Sequence, residues 1–350
     1  MYKRLLLGFL AVVLTSCGDD NPVINGEDAP TITVMTWNVY IGGDVQTAFT
    51  SLDNPLNLPA EVAAFWTSVT ASNFPSRARA IASIIAREKP HVIGLQEVSR
   101  FLTQTPGDFL AGNPVAAQDV AIDFLDELLI ALSEQGLNYT VAASVENADI
   151  EFISVTAEDI RQIDREVILA RSDVTVMASQ SGHYERRVTI PVFGDAVVEI
   201  PRGWVLADVA IDGVALRLVS THLEVSRFQD IQNDQATELV RNTTPAGATV
   251  LLGDFNTLPA TASQTYSAIL DAGYQDSWMA LSGAPGNTCC HDDNLMNDTV
   301  SLSGRIDMIF HQGDLTPISA TVIGDEIEDR TPAGLWPSDH AGVVTTFSSP

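Results

Sequence analysis

Short apolar stretches recur along the chain, most of them β-branched and bounded by Gly, Pro, Asp or Asn. They predict strands at residues 32–37, 92–95, 139–143, 167–170, 174–178, 188–193, 204–211, 214–220, 249–252, 306–310, 319–323 and 343–347. Asp212-Gly213 lies between two of them, and Asp-Gly suits the positive φ angles of a type I′ hairpin turn. Helical spacing is rarer. Ile81, Ile84 and Ile85 mark a helix over 76–89 that Pro90 stops. Ile122, Leu125, Leu128, Leu129 and Leu132 predict a second over 119–135, ended by Gly136. Residues 228–241 and 262–272 carry weaker helical patterns, and 42–75 fits neither period and reads as a long functional loop. No internal repeat interrupts this pattern. Many strands with few helices predict an α/β protein of two packed sheets with helices on the outer faces.

Composition narrows the class. With 45% apolar residues in 350, the chain has material for a large core, which excludes intrinsic disorder. No apolar run reaches the roughly 20 residues needed to span a bilayer. Eighteen Lys+Arg against 45 Asp+Glu give a net charge of −27. That excess argues against a stable nucleic-acid complex, which relies on cations neutralising phosphates, but a local basic groove keeps a nuclease open.

The first residues have a different character. Lys3 and Arg4 precede an apolar run at 5–14, the order of a secretory signal. Leu14-Thr15-Ser16-Cys17 resembles a bacterial lipobox, which implies cleavage after residue 16 and lipidation of Cys17. Several acyl chains on one Cys hold a protein to a membrane more firmly than one chain does. Loss of residues 1–16 removes Lys3, Arg4 and no acid, which takes the charge from −27 to −29. Residues 17–30 are acidic and turn-rich and read as a flexible tether to a domain at 31–350. The other two cysteines, Cys289 and Cys290, are adjacent, a spacing that strains disulfide geometry, so no disulfide framework is expected. Cys290-His291 offers metal-ligand types without a CxxC partner, and loop packing is the simpler role.

Polar residues recur at strand ends, where a packed scaffold delivers them to one edge. Asn38 ends the first strand and Glu97 follows the second; a carboxylate there suits a hard cation. His222 ends the second hairpin strand and can exchange a proton near neutral pH. Asp254 and Asn256 follow 249–252 and share a side if extended. Asp307 opens the next strand, and Asp339-His340 precede the last. Any one of these is ordinary at a turn or surface. Together they suit phosphate-ester hydrolysis, in which a divalent cation stabilises phosphoryl charge and a carboxylate activates water.

The order TWN (36–38), QEV (96–98), STHLE (220–224), GDFN (253–256), RIDMIF (305–310), SDHAGV (338–343) resembles the endonuclease/exonuclease/phosphatase superfamily, the deoxyribonuclease I-like fold, over residues 31–348. That superfamily includes nucleases, neutral sphingomyelinases and inositol-polyphosphate phosphatases. The resemblance implies a four-layer α/β sandwich of mainly antiparallel sheets and hydrolysis dependent on Mg²⁺, or Mn²⁺. It implies that Glu97 is the main metal ligand, with Asn38 and Asp339 completing the shell. Asp254 would orient or deprotonate water, Asn256 would bond the phosphoryl group, and His222 and His340 would flank the phosphate. Asp307 would fix the tautomer of His340. By the same register Asp164 would orient His222, and Arg202 would contact phosphate. The superfamily's Tyr near that acid has no clear equivalent, and Asp44 lies within reach of the metal region in sequence.

These readings lead to an expected lipid-anchored, extracytoplasmic, Mg²⁺-dependent phosphoesterase of the cell envelope. A monomeric phosphodiesterase acting on nucleic acid or phospholipid head groups comes first. A phosphomonoesterase, for inositol phosphates or similar, and a non-catalytic surface binding lipoprotein are the alternatives.

Overall fold

In a computed structural model the described residues are 30–44, 56–191, 197–244, 247–260, 263–281 and 283–349. The leader, Cys17 and the tether up to residue 29 lie outside them, as do 45–55 of the expected loop and 192–193 at the end of one expected strand.

Among the described residues, one sheet contains eight strands: β1 (Thr31–Asn38), β2 (Val92–Gln96), β3 (Arg100–Gln104), β4 (Asp119–Asp123), β5 (Tyr139–Ile153), β6 (Asp159–Arg171), β15 (Thr316–Ile323) and β16 (Gly342–Ser348). The order is β15-β16-β1-β2-β6-β3-β4, with β5 also paired to β6. A second sheet runs β13-β14-β12-β11-β10-β7, from Gln275–Asp276, Asp307–Gln312, Thr249–Asp254, Val214–His222, Gly203–Ile211 and Thr175–His183. β8 (Val188–Pro191) and β9 (Val197–Ile200) form a separate ribbon.

Each sheet holds one parallel pair, β1 with β2 and β11 with β12; every other pairing is antiparallel. Parallel neighbours need a crossover, and helices supply it. α1 (Leu58–Ala71) and α2 (Phe74–Glu88) lie between β1 and β2, and α4 (Gln229–Asn242) lies between β11 and β12. α3 (Phe124–Glu134), α5 (Gln264–Asp271) and α6 (Ser277–Leu281) complete the α-helices among the described residues.

Three cores make four layers. Alternate residues of each strand face opposite sides. Ile32, Val34, Val92, Ile168, Val205, Leu218, Val250 and Leu252 pack between the sheets. Met35, Trp37, Ile93 and Leu95 pack against Ile81, Ile85 and Leu128 of the helices. Leu251, Met308 and Phe310 meet Leu239 and Ile269 on the far side. The sheets approach closely at Gly94, where a Cβ would lie 2.0 Å from Leu252 Cδ1, so only glycine fits.

Two expected elements differ. Residues 119–123 pair with β3, and the helix starts only at Phe124, because Asp123 Oδ1 caps it by accepting from Leu125 N at 2.9 Å. Residues 58–71, expected as loop, form α1; it buries only Val62 and Val69, seven apart, and so leaves no clear helical stripe in the sequence. Cys289 and Cys290, expected to be unpaired, are joined as a disulfide across a cis peptide. The loop that carries them is held by backbone bonds to 303–304 and 339–341, and this fixes the two side chains together.

Candidate active site

The site grows out of the inter-sheet core. Along the same face that buries Ile32 and Val34, β1 continues with Thr36 and Asn38. β2 passes from Val92 through Gly94 to Gln96, β11 from Leu218 through Ser220 to His222, and β12 from Leu252 to Asp254. β6 and β14 run the other way; β6 carries Asp164 and Glu166 just before the stretch paired to β2, and β14 begins with Asp307. Register brings these ends into rows: Asn38 faces Gln96, and His222 faces Asp254, which faces Asp307. Each of these strands therefore passes from the apolar core to polar residues at one shared edge.

A cleft of about 200 Å³ opens there, lined by Tyr40, Ile41, Asp44, Glu97, Arg202, His222, Asp254, Asn256, Asp293, Asp339 and His340 among others. Tyr40, Glu97 and Asn256 all have left-handed backbone, with φ of 60°, 58° and 50°. Such conformations cost energy in non-glycine residues and here aim side chains into the cleft. Asp254 and Asn256 thus meet through a turn rather than along an extended strand, and Asn256 N donates to Asp254 Oδ1 at 2.9 Å.

Asn38 ties two carboxylates together. Its Nδ2 donates to Glu97 Oε1 and to Asp254 Oδ2, both at 3.1 Å, while its Oδ1 accepts from Tyr40 N at 3.0 Å. Ile41 N donates to Glu97 Oε2 at 2.7 Å. Burial, then the Asp339 charge, raises the Glu97 pKa. Burial also raises Asp339, to about 6. Burial and the nearby Asp307 lift Asp254 to about 7. Crowded carboxylates of this kind are what an oxygen-binding cation relieves.

The two histidines differ in charge. Around His222, burial and the charges of Arg202 and His340 push the pKa well below the ordinary range, so the ring is neutral. Arg202 Nη1 lies 3.0 Å from Nδ1 and Asn256 Nδ2 lies 3.0 Å from Nε2, which is also 3.4 Å from Asp254 Oδ2. Burial opposes charge on His340 too, but Asp307 and Asp339 outweigh it and hold its pKa well above the ordinary range. His340 Nδ1 lies 2.8 Å from Asp307 Oδ2, and Nε2 lies 3.9 Å from Asp254 Oδ2. Ser338 Oγ donates to Asn38 O at 2.7 Å and Trp37 Nε1 to His340 O at 2.9 Å, so the loop before β16 is pinned to β1.

One expected contact is replaced. Asp164 makes none with His222; its Oδ1 accepts from Ser99 Oγ at 3.4 Å. Of the two β6 acids the one nearer the ring is Glu166, with Oε1 4.0 Å from Nδ1. Both acids lie on one face of β6, and Glu166 is one pleat closer to His222. Arg202 does face the cleft, held 3.6 Å from Glu224 Oε2. Asp44 and Tyr40 line it as well. His291 is a packing residue, stacked on Trp336 at 4.1 Å between ring centroids.

Sequence reasoning missed Arg77. It is fully buried, and its guanidinium donates to the carbonyls of Ser72, Val39, Pro337 and Tyr40 at 2.7–3.0 Å. It clamps the segment after β1 to the loop before His340. An arginine on the apolar side of a helix, beside Ile81 and Ile84, was the available signal.

The sequence pattern described as "Endonuclease/Exonuclease/phosphatase family" matches residues 35–340. The chain belongs to the endonuclease/exonuclease/phosphatase family. The three activities in that description all cleave phosphoric esters, and this family member is a phosphoric ester hydrolase. In structure it is similar to a family protein from Leptotrichia buccalis (17% identity, 90% of this chain and 99% of that one, TM-score 0.56). It is also similar to one from Bacteroides thetaiotaomicron (18%, 91% and 95%, 0.56). A third likeness is to D. rerio TDP2 complexed with single-strand DNA product (18%, 91% and 99%, 0.52). At these identities the likeness establishes the deoxyribonuclease I-like fold. No curated protein matches the chain.

Proposed function

We propose that the chain is a Mg²⁺-dependent phosphodiesterase of the cell envelope, exported by its leader and held to a membrane by lipid on Cys17. The observation that carries the catalytic part is the pair of opposed histidines around Asp254, one neutral and one charged, beside Glu97 and Asp339.

The residues fit a hard cation. Glu97 and Asp339 present oxygens to the cleft and would hold the ion, with Asn38 bracing Glu97. Asp254, Asp307 and His340 also bring ligand atoms within 4.8 Å of one another, but Asp307 Oδ2 and His340 Nδ1 are already paired with each other. When bound, the ion supplies charge to stabilise the phosphoryl oxygens.

The other roles belong to the chain. Asp254, at about 7, is poised to take a proton from water near neutral pH. His222 and Asn256 flank it in the cleft wall that would face the phosphoryl oxygens. His340, kept charged by Asp307, stabilises negative charge or protonates the leaving oxygen.

A phosphodiester of modest charge suits the site better than a polyphosphate. Arg202 is the arginine in the cleft lining, and most other arginines are bound to carboxylates, such as Arg161 with Asp149 and Arg217 with Asp208. Inositol polyphosphates would need more cations. Purified protein with Mg²⁺ should hydrolyse bis-p-nitrophenyl phosphate faster than p-nitrophenyl phosphate. DNA, RNA and sphingomyelin then identify the class. Faster monoester cleavage overturns the diester reading; no hydrolysis of any ester favours a binding lipoprotein.

A further inference from the structure

Cys289 and Cys290 lie in the cleft wall, on a segment that joins the two halves of the His340–Asp307 pair. Cys289 bridges to Gly304 on one side and to His340 on the other. Thr288 Oγ1 accepts from Asp307 N at 3.1 Å, Ala341 N donates to Thr288 O at 2.8 Å, and His291 N donates to Asp339 O at 2.8 Å. Cys290 is exposed, and its Sγ sits 3.8 Å from His340 Nε2. The two sulfurs and that nitrogen all lie within 4.8 Å of one another. None of the catalytic roles above uses the sulfurs.

We infer that the reduced Cys289–Cys290 pair and His340 Nε2 form a site for a thiophilic divalent ion of the Zn²⁺ or Cd²⁺ class, and that filling it shuts the catalytic cleft. Two thiolates and an imidazole are a donor set for zinc, with water in the fourth place. Zn–S near 2.3 Å and Zn–N near 2.0–2.1 Å in a tetrahedron put S and N about 3.6 Å apart, within a few tenths of the 3.8 Å found. Asp307 already holds Nδ1, the partner that a metal-binding imidazole requires on its second nitrogen. The oxygens of Glu97 and Asp339 suit a hard ion, so the two sites select different metals.

The site opens by thiol–disulfide exchange. A dithiol reductant gives two electrons and two protons to the Cys289–Cys290 bond, and leaves two thiols and its own disulfide. Ion binding then releases the thiol protons and the Nε2 proton to solvent. With Nε2 on the ion, His340 has no proton to offer a phosphoryl oxygen.

The test uses the full chain with Cys17→Ser, so that this pair supplies every thiol. Protein reduced with a phosphine, and oxidised protein, are titrated with Cd²⁺ under argon without substrate. Reduced protein should develop thiolate-to-cadmium absorption that saturates at one ion per chain and survives excess Mg²⁺; oxidised protein should not. Cys290→Ser should lose the band, and His340→Gln should weaken binding about tenfold or more. Equal responses of oxidised and reduced protein, or undiminished affinity in folded His340→Gln, overturn the site. The oxidised–reduced comparison needs no variant to fold. Because binding is read without turnover, failure of the phosphodiesterase reading leaves this result intact. A final arm assays phosphoesterase activity: one equivalent of Cd²⁺ should stop the reduced enzyme and spare the oxidised one, and equal sensitivity overturns the shut-off.

Discussion

His340 Nδ1 and Asp307 Oδ2 lie 2.8 Å apart, with the carboxylate fully buried and the imidazole nearly so. The carboxylate favours the imidazolium and holds the His340 pKa above its ordinary value of 6.5. Asp307→Asn keeps the shape and removes the charge. His340 should then lose its proton at lower pH, and the alkaline limb of the kcat–pH profile should move down. Stability follows the same sign. A raised folded pKa contributes stability that is complete below about 6.5 and is lost as pH rises through the raised value. The Tm gap between wild type and Asp307→Asn should therefore be widest near pH 6 and narrow at higher pH. An unmoved limb would retire the pair as a catalytic unit.

Asp254→Asn should lower kcat about 10²–10⁴-fold, the usual cost of losing a general base. The Asn side chain can still accept from Asn256 N, so circular dichroism should report an intact fold. A variant with wild-type kcat on a diester would assign the base elsewhere.

Chelation should abolish activity, and added Mg²⁺ or Mn²⁺ should restore it. Mg²⁺ should also raise Tm in proportion to the logarithm of its concentration, because it binds the folded carboxylates. Glu97→Gln should flatten that dependence. Full turnover in EDTA contradicts the metal reading.

Arg77→Met should destabilise the protein by at least about 3 kcal/mol, since several buried carbonyls lose their donor and each costs about 1–3 kcal/mol. Urea unfolding measures it. A midpoint near wild type would mean that the carbonyls find other donors.

Cys17→Ser should move the protein from the membrane fraction to the soluble extracytoplasmic one while catalysis persists. Membrane retention of the exported variant, or no uptake of labelled fatty acid by wild type, ends the lipid-anchor proposal.

The twelve strands predicted from apolar runs coincide at least in part with observed ones, most of them because a buried strand needs a continuous or alternating apolar stretch, although β7 and β15 are largely exposed. β3 and β4 escaped that pattern: Asp119, Val120 and Ala121 are exposed, and β3 buries only Phe101 and Leu102. β5 and β6 were seen only in part, since bulges near Ala143 and Glu146 break the alternation. Most of the cleft was legible because its residues end apolar strands. Glu166 was not, as a one-pleat choice between two acids on the same face needs the way β6 packs across the two sheets against β11. Arg77 was hidden because its partners are carbonyls, which have no sequence signature.

β1 enters the body at Thr31, beside Ser348 of β16, and reaches the cleft at Asn38. At about 3.3 Å per residue, roughly 23 Å of strand separates the two. A lipid anchor upstream of Thr31 would thus attach at the pole opposite the catalytic mouth. A soluble ester would meet the mouth directly, whereas a bilayer lipid would be reached only by a body turned over on its tether. Geometry of attachment alone would then favour scavenging from the surrounding fluid over remodelling of the membrane that carries the enzyme.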